Sequence, residues 1–464
     1  MLTTMGVVLL AAIAGTATAM EPIPALAVAG GAGLVLFATL SWRAVRPGGV
    51  KDHADRWSWV SLILLAYLLP MFLLSRSYSL IGFNPIYLPD VLATLAALAS
   101  LGRARWRHLG VMAACCTAVS LLMLHGVDVG RHHKYPDAIK GLVLVLYPLA
   151  AVPIAGWLSQ LHEPERLLQW LPRIILPVIP LGLLLDHGHH MIPSAFGLEL
   201  GIAGAFAVVG GMPGRKLLTA TFLMGSVMLI AYSAKRGVTL TLLLSCAAAW
   251  MASQQLRYLS RRMLLTLALG FCTALFSLAV ISGFIVVPRS VPLVGRLAER
   301  ASGAQVAAAD NVTLRELMWS YALHTTWDDD PLLGVGAYHP IDVQLKNNNI
   351  ATKAGMGVHD SFVGYTFYAG YPAGLLVIFV FLLALWRIWK VRRRSIYAPA
   401  VFGALVAAIV TAATNVSLEV TYMGGPSWLV VALAFGLSAK LMDAPDLEDG
   451  DALVALEAEL APIS

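Results

Sequence analysis

The chain has 464 residues, of which 58% are hydrophobic and only 12% charged, with a mean hydropathy of +0.75. A soluble protein carries roughly 25% charged residues, so a water-soluble globule is excluded. The net charge of +6 comes from short basic clusters between apolar runs of about 17 to 25 residues, the length of a membrane-crossing helix. It therefore reports membrane orientation and not nucleic-acid binding. The roughly ten-residue alternating strands of an outer-membrane barrel are missing from the pattern. The expectation is an all-α polytopic membrane protein with about twelve to fourteen transmembrane helices.

The first apolar run, Leu2 to Ala19, ends in Ala17-Thr18-Ala19, which fits a signal-peptide cleavage site. No basic residue precedes it and a second run, Ala25 to Trp42, follows at once, so a retained helix is expected. Arg43, Arg46, Lys51 and Arg56 follow the second run, Arg103, Arg105 and Arg107 the fourth, and Arg166 and Arg173 the sixth. Arg215 and Lys216 follow the eighth, Arg257, Arg261 and Arg262 the tenth, and Arg387, Lys390, Arg392, Arg393 and Arg394 the twelfth. Every cluster thus follows an even-numbered run, so all can share one face, which the positive-inside rule makes cytoplasmic. Residues 1–287 read as N-terminal transmembrane helices, 361–442 as C-terminal ones, and 443–464 as an acidic, solvated cytoplasmic tail. Cys115, Cys116, Cys246 and Cys272 all fall inside apolar runs without metal-like spacing, so they read as packing residues.

Between them, residues 288–360 leave the membrane for roughly seventy residues, far beyond an ordinary connector. The apolar period of Leu314 to Leu323 predicts helix there, lying on the outer membrane surface. Cations gather on this side against the positive-inside bias. Lys235 and Arg236 end a span in Tyr232-Ser233-Ala234-Lys235-Arg236-Gly237, and the loop holds Arg289, Arg296, Arg300, Arg315, His324, His339 and His359. Any loop arginine can simply pair with Glu299, Asp310 or Glu316, or with lipid phosphate. Arg236, beside Gly237 at the edge of a span, better suits bidentate binding of an anion. His359, where the loop re-enters the membrane, suits either a helix N-terminus or a chemical role. His187, His189 and His190 have a spacing that a metal accepts, but a solvated external turn is preferred. Asp328-Asp329-Asp330 precedes Pro331, which fits a turn ending a helix. No metal and no cofactor is expected.

The segments Leu314-Arg315-Glu316-Leu317-Met318-Trp319, Pro331-Leu332-Leu333-Gly334-Val335-Gly336 and His359-Asp360-Ser361-Phe362 together resemble the O-antigen ligase and polymerase family. That family has an arginine-tryptophan helix, a Pro-Leu-x-Gly-x-Gly turn and a histidine followed by asparagine, in this order. Lys235-Arg236-Gly237 is similar to its Ser-Arg-Gly step, and Ile81 to Asp90 to its early external loop. The likeness covers most of the chain in architecture and about a third in recognisable motifs. Lys235 stands where serine is usual, and Asp360 where asparagine is usual. The resemblance implies a glycosyltransferase that uses a glycan carried on undecaprenyl diphosphate, with lipid A-core or another glycan as acceptor. Cations at the diphosphate would stabilise charge growing on the leaving oxygen; Arg236 and Arg315 are the candidates, with Lys235 and Arg289 behind them. Neighbouring cations would keep His359 neutral and fit to take the acceptor's proton as general base. Asp360, Trp319 and His339 are placed with the substrates.

A ligase, a polymerase and a protein O-glycosyltransferase all need this clamp and base; one dominant external loop favours the ligase by analogy. The alternative class is a polysaccharide transporter or flippase. Transporters place ionisable groups at mid-membrane; here the candidate is Glu199, which could equally lie near an outer end, the spans being otherwise almost free of charge, and no Walker-type loop is present. The expected architecture is a helical bundle at the bacterial inner membrane, its site facing the periplasm, with the loop as a lid and a lateral opening for the polyprenyl tail.

Overall fold

The computed structural model describes residues 58–74, 81–83, 86–134, 138–160, 193–209, 236–253, 315–339, 358–415 and 417–443, with a few positions between 164 and 168. The described residues are helical, apart from turns and a two-residue antiparallel ladder pairing Gly82–Phe83 with Ile86–Tyr87. In chain order the helices are α1 (Trp59–Leu74), α2 (Leu88–Leu101), α3 (Gly110–His132), α4 (Leu142–Leu158, entered through a 3-10 turn at Ala138–Gly141), α5 (Pro193–Val209) and α6 (Arg236–Ser253). Then come α7 (residues 315–329), α8 (Ser361–Lys390), α9 (Ala398–Thr414) and α10 (Thr421–Asp443). Among the described residues, four stretches, Gly110–His132, Ala138–Leu158, Ser361–Lys390 and Thr421–Asp443, are long and apolar enough to cross a membrane. Five shorter helices are also apolar.

Local chemistry sets the starts. The Ser58 hydroxyl accepts from the Ser61 amide ahead of α1, and Asp90 in the first turn of α2 reaches back to the Tyr87 amide at 3.1 Å, both ordinary ways to satisfy N-terminal amides. α4 and α10 pack on each other, and α5, α6 and α9 form a three-helix group. Trp157, Trp428, Phe381 and Phe435 are fully buried. Small residues bring the backbones close, as in membrane bundles generally. Two of the basic clusters meet at one end of the bundle. Arg387 donates to the His108 carbonyl, Arg394 to the Leu441 carbonyl, and the Arg105 amide to Gly156. Asp443, expected to begin the solvated tail, is instead the last residue of α10 and pairs with Arg107 at 3.2 Å and His108 at 3.1 Å. Residues 444–464 lie outside the described residues.

α8 is broken. Ala369 and Gly370 leave helical geometry (Gly370 φ +83, ψ 169) just before Pro372, which lacks the amide to continue a ladder. The Pro331–Gly336 turn fills the break. In an unbroken helix the Tyr371 amide would donate to the Phe367 carbonyl. Here Tyr371 donates to Pro331 and Phe367 accepts from Val335, each at 2.9 Å. The turn's next amide, Ala337, donates to Gly126 of α3 at 2.7 Å. Gly334 (φ +75) lies so close that a Cβ there would stand 2.6 Å from the Ala369 nitrogen. The motif is thus the surrogate partner of two backbone groups that hydrocarbon would leave unpaired.

Candidate functional site

The site assembles at the end of the bundle opposite the basic clusters, where α7, the start of α8 and the end of α9 meet. On α7, Arg315 and Trp319 are one turn apart and share a face. Arg315 donates from Nη1 to the Thr414 carbonyl at 2.9 Å, which ties α7 to the end of α9. Trp319 donates its indole N–H to the Val358 carbonyl at 2.9 Å, and so holds the residue before His359. The inner face of the helix continues through Met318, Ala322 and Thr326, all buried, and Tyr371 of α8 donates its hydroxyl to Leu323 at 3.1 Å.

His359 sits in the left-handed region, φ +55, a conformation rare outside glycine and associated with sites held by their surroundings. Its Nδ1 is buried and has no hydrogen-bond partner among the described residues. Burial first, and the neighbouring Arg315 guanidinium second, push the imidazole down to about 4, so the ring is neutral at pH 7. The expectation had credited cations alone; removal from water is the larger cause. Burial also lowers Arg315, whose Nε is enclosed without a partner among the described residues.

Asp360 is the N-cap of α8: one carboxylate oxygen accepts from the Phe362 amide at 2.8 Å and the Val363 amide at 3.0 Å. Asparagine and aspartate cap helices about equally well, which accounts for the exchange noted in the motif. Its carboxyl is raised by burial, against the pull of those two amides.

Arg236 opens α6. A Cβ on its neighbour Gly237 would lie 3.9 Å from the Thr414 hydroxyl, so the start of α6 reaches the same residue that Arg315 holds. Arg315, Trp319, His359 and Asp360 are therefore brought together, with the start of α6 alongside. His339 keeps other company, edge-on to Phe367 at 5.6 Å, with its ring lowered by burial and nudged upward by Asp329. Lys235, Arg289, Arg296, Arg300 and the His187–His190 cluster lie outside the described residues. Asp330, in the acidic run, accepts from the Leu332 and Leu333 amides at 3.0 and 2.9 Å; that carboxylate closes the turn, as the following proline suggested.

Glu419 is a further residue at this junction, and it gives Ser361 of the His359 motif a role. Glu419, in the linker between α9 and α10, is 5% exposed, and its Oε2 accepts the Ser361 hydroxyl at 2.8 Å. Ser361 in turn accepts from the Ser417 and Leu418 amides, both at 2.9 Å. The one available signal was a lone acid among apolar neighbours in Val416-Ser417-Leu418-Glu419-Val420.

Chemically, the cluster offers a neutral, enclosed imidazole beside a half-buried guanidinium, on a junction stapled from three sides. No family model matches the chain, and no curated protein sequence is significantly similar to it. The likeness to the O-antigen ligase and polymerase family rests on the motifs quoted above.

Proposed function

We propose that this chain is a multi-pass glycosyltransferase of the inner membrane, with about twelve to fourteen spans and its site on the periplasmic side. It moves a glycan from undecaprenyl diphosphate onto lipid A-core, without a metal. The observation that carries the reading is the juxtaposition of neutral His359 with Arg315, both in motifs that resemble the family's. In the reaction the acceptor hydroxyl attacks the anomeric carbon, the bond from that carbon to the diphosphate oxygen breaks, and the electron pair stays on the diphosphate. Arg315 and Arg236 meet that charge as it grows, which lowers the barrier more than it aids binding. The hydroxyl proton passes to His359.

The low basicity of His359 beside Arg315 fits this sequence of events. A diphosphate bound at Arg315 offsets the guanidinium charge that helps depress the imidazole, so the base strengthens when donor arrives. Trp319 and Asp360 serve by fixing the His359 segment, through the Val358 carbonyl and the cap of α8.

The test is transfer in proteoliposomes supplied with purified polyprenyl-diphosphate glycan and lipid A-core, together and separately. Product that requires both, and that His359→Ala abolishes, supports the ligase. Ladders from donor alone replace it with a polymerase. Donor crossing the bilayer unreacted, or a His359→Ala variant that turns over normally, refutes the assignment.

A further inference from the structure

Glu419 is enclosed with no cation beside it among the described residues. Its Oε1 is buried and has no hydrogen-bond partner among the described residues. It occupies a recess against α8 that exists only because Gly364 has no side chain; a Cβ there would collide with that oxygen. Among the described residues, the ionisable groups facing Glu419 are Asp360 at the cap of α8 and Tyr365 and Tyr368 on α8 itself. α9 carries no charged side chain, and α10 none in its first turns. From α7, Arg315 meets the last residue of α9, at the Thr414 carbonyl. Yet Glu419 is joined through Ser361 to the three-residue segment that presents His359. Ser361 binds Glu419 by its hydroxyl hydrogen and gathers the Ser417 and Leu418 amides on its oxygen.

We propose that Glu419 is a positioning residue for His359, a carboxyl that locks the start of α8 to the α9–α10 linker while it holds a proton and loosens that lock when it loses it. The inference rests on the transferase reading for its effect on turnover, and on geometry alone for the lock. Two forces oppose each other at the carboxyl. Ionisation strengthens the hydrogen bond from Ser361. It also places an unpaired charge in a dry recess beside a second carboxylate, Asp360, and burial is the larger influence, raising the carboxyl to about 7. An ionised Glu419 is therefore driven out of the Gly364 recess toward water. Ser361 then loses its shorter acceptor and is left with the Asn415 carbonyl at 3.2 Å and the Ser417 and Leu418 amides, so the start of α8 is held to the linker more loosely.

The experiment compares wild type with Glu419→Gln, which keeps the shape and the hydrogen-bond acceptor but cannot ionise, and with Glu419→Ala. In the proteoliposome assay, wild-type kcat should fall about tenfold between ~pH 6 and ~pH 8. Glu419→Gln should hold at the higher pH the rate it has at the lower, and Glu419→Ala should be slow at both. A Glu419→Gln variant that retains the wild-type alkaline fall overturns the proposal. Hydrogen exchange of the amides of residues 361–365 gives a readout independent of turnover. Exchange should be faster in wild type than in Glu419→Gln at ~pH 8 and equal at ~pH 6. Equal exchange at both values overturns the lock. If no variant transfers glycan but exchange behaves as stated, the transferase reading fails and the lock stands.

Discussion

The filled break in α8 makes a quantitative prediction about a single methyl group. Gly370→Ala places a Cβ on a residue at φ +83, ψ 169, a region essentially reserved for glycine, at a cost of about 1–3 kcal/mol. The same Cβ collides with the carbonyl group of Leu332, so the Pro331–Gly336 turn must retreat. Retreat breaks the Val335 to Phe367 and Tyr371 to Pro331 hydrogen bonds, and each buried group left unpaired costs about 1–3 kcal/mol. Together these give a loss of about 4 kcal/mol or more. Gly102→Ala is the matched control. Gly102 has φ −70, ψ −11 and nothing within 4 Å of an added Cβ, so alanine there is neutral or stabilising by about 0.4–1 kcal/mol. Unfolding of both variants and wild type in the same detergent micelles measures the difference. A Gly370→Ala protein within about 1 kcal/mol of wild type would refute the argument that the turn substitutes for the helix's own hydrogen bonds.

Three further outcomes follow from single contacts. Trp319→Phe keeps an aromatic side chain, though a smaller one, and removes the donor to Val358; it should cost about 1 kcal/mol of stability or somewhat more, checked by the same unfolding assay, and lower transfer with little change in donor affinity. Asp360→Asn should leave α8 capped, whereas Asp360→Ala loses about 1 kcal/mol, so the two melting points should separate. For Glu419 the folded carboxyl lies at about 7, above the ordinary 4.5. Its protonated form is favoured in the fold, so stability is complete below the ordinary value and is lost as pH rises through the folded one. The loss is worth about 3 kcal/mol. Glu419→Gln should therefore melt higher than wild type above about pH 7 and no higher below about pH 4.5, with a pH series of melting curves as the check.

Periodicity and composition made the helical, apolar character of the chain legible, because those are properties of consecutive residues. The helix carrying Arg315 was readable from Leu314 to Leu323, though it runs on to 329, where the polar Asp328 and Asp329 give no apolar signal. Asp360 was read as a substrate contact; its position before an apolar run ending the loop equally marks an N-cap, which it is. The break in α8 had a local signal, the glycine and proline of Ala369-Gly370-Tyr371-Pro372. Its filling by Pro331–Gly336 had none, since a loop's partner is a tertiary fact. Glu419 illustrates the same limit: a lone acid in an apolar linker announces that something must solvate it, but not that Ser361 does so.

The surrogate pairing at Phe367 and Tyr371 also restricts how the molecule can open. Raising the turn away from α8 would strip a carbonyl and an amide bare at once. At about 2 kcal/mol or more for each group, fewer than about one molecule in a thousand would be found that way. The Pro331–Gly336 segment thus behaves as a fixed post rather than a flap. Any rearrangement near His359 that leaves these two bonds intact has to leave this segment in place.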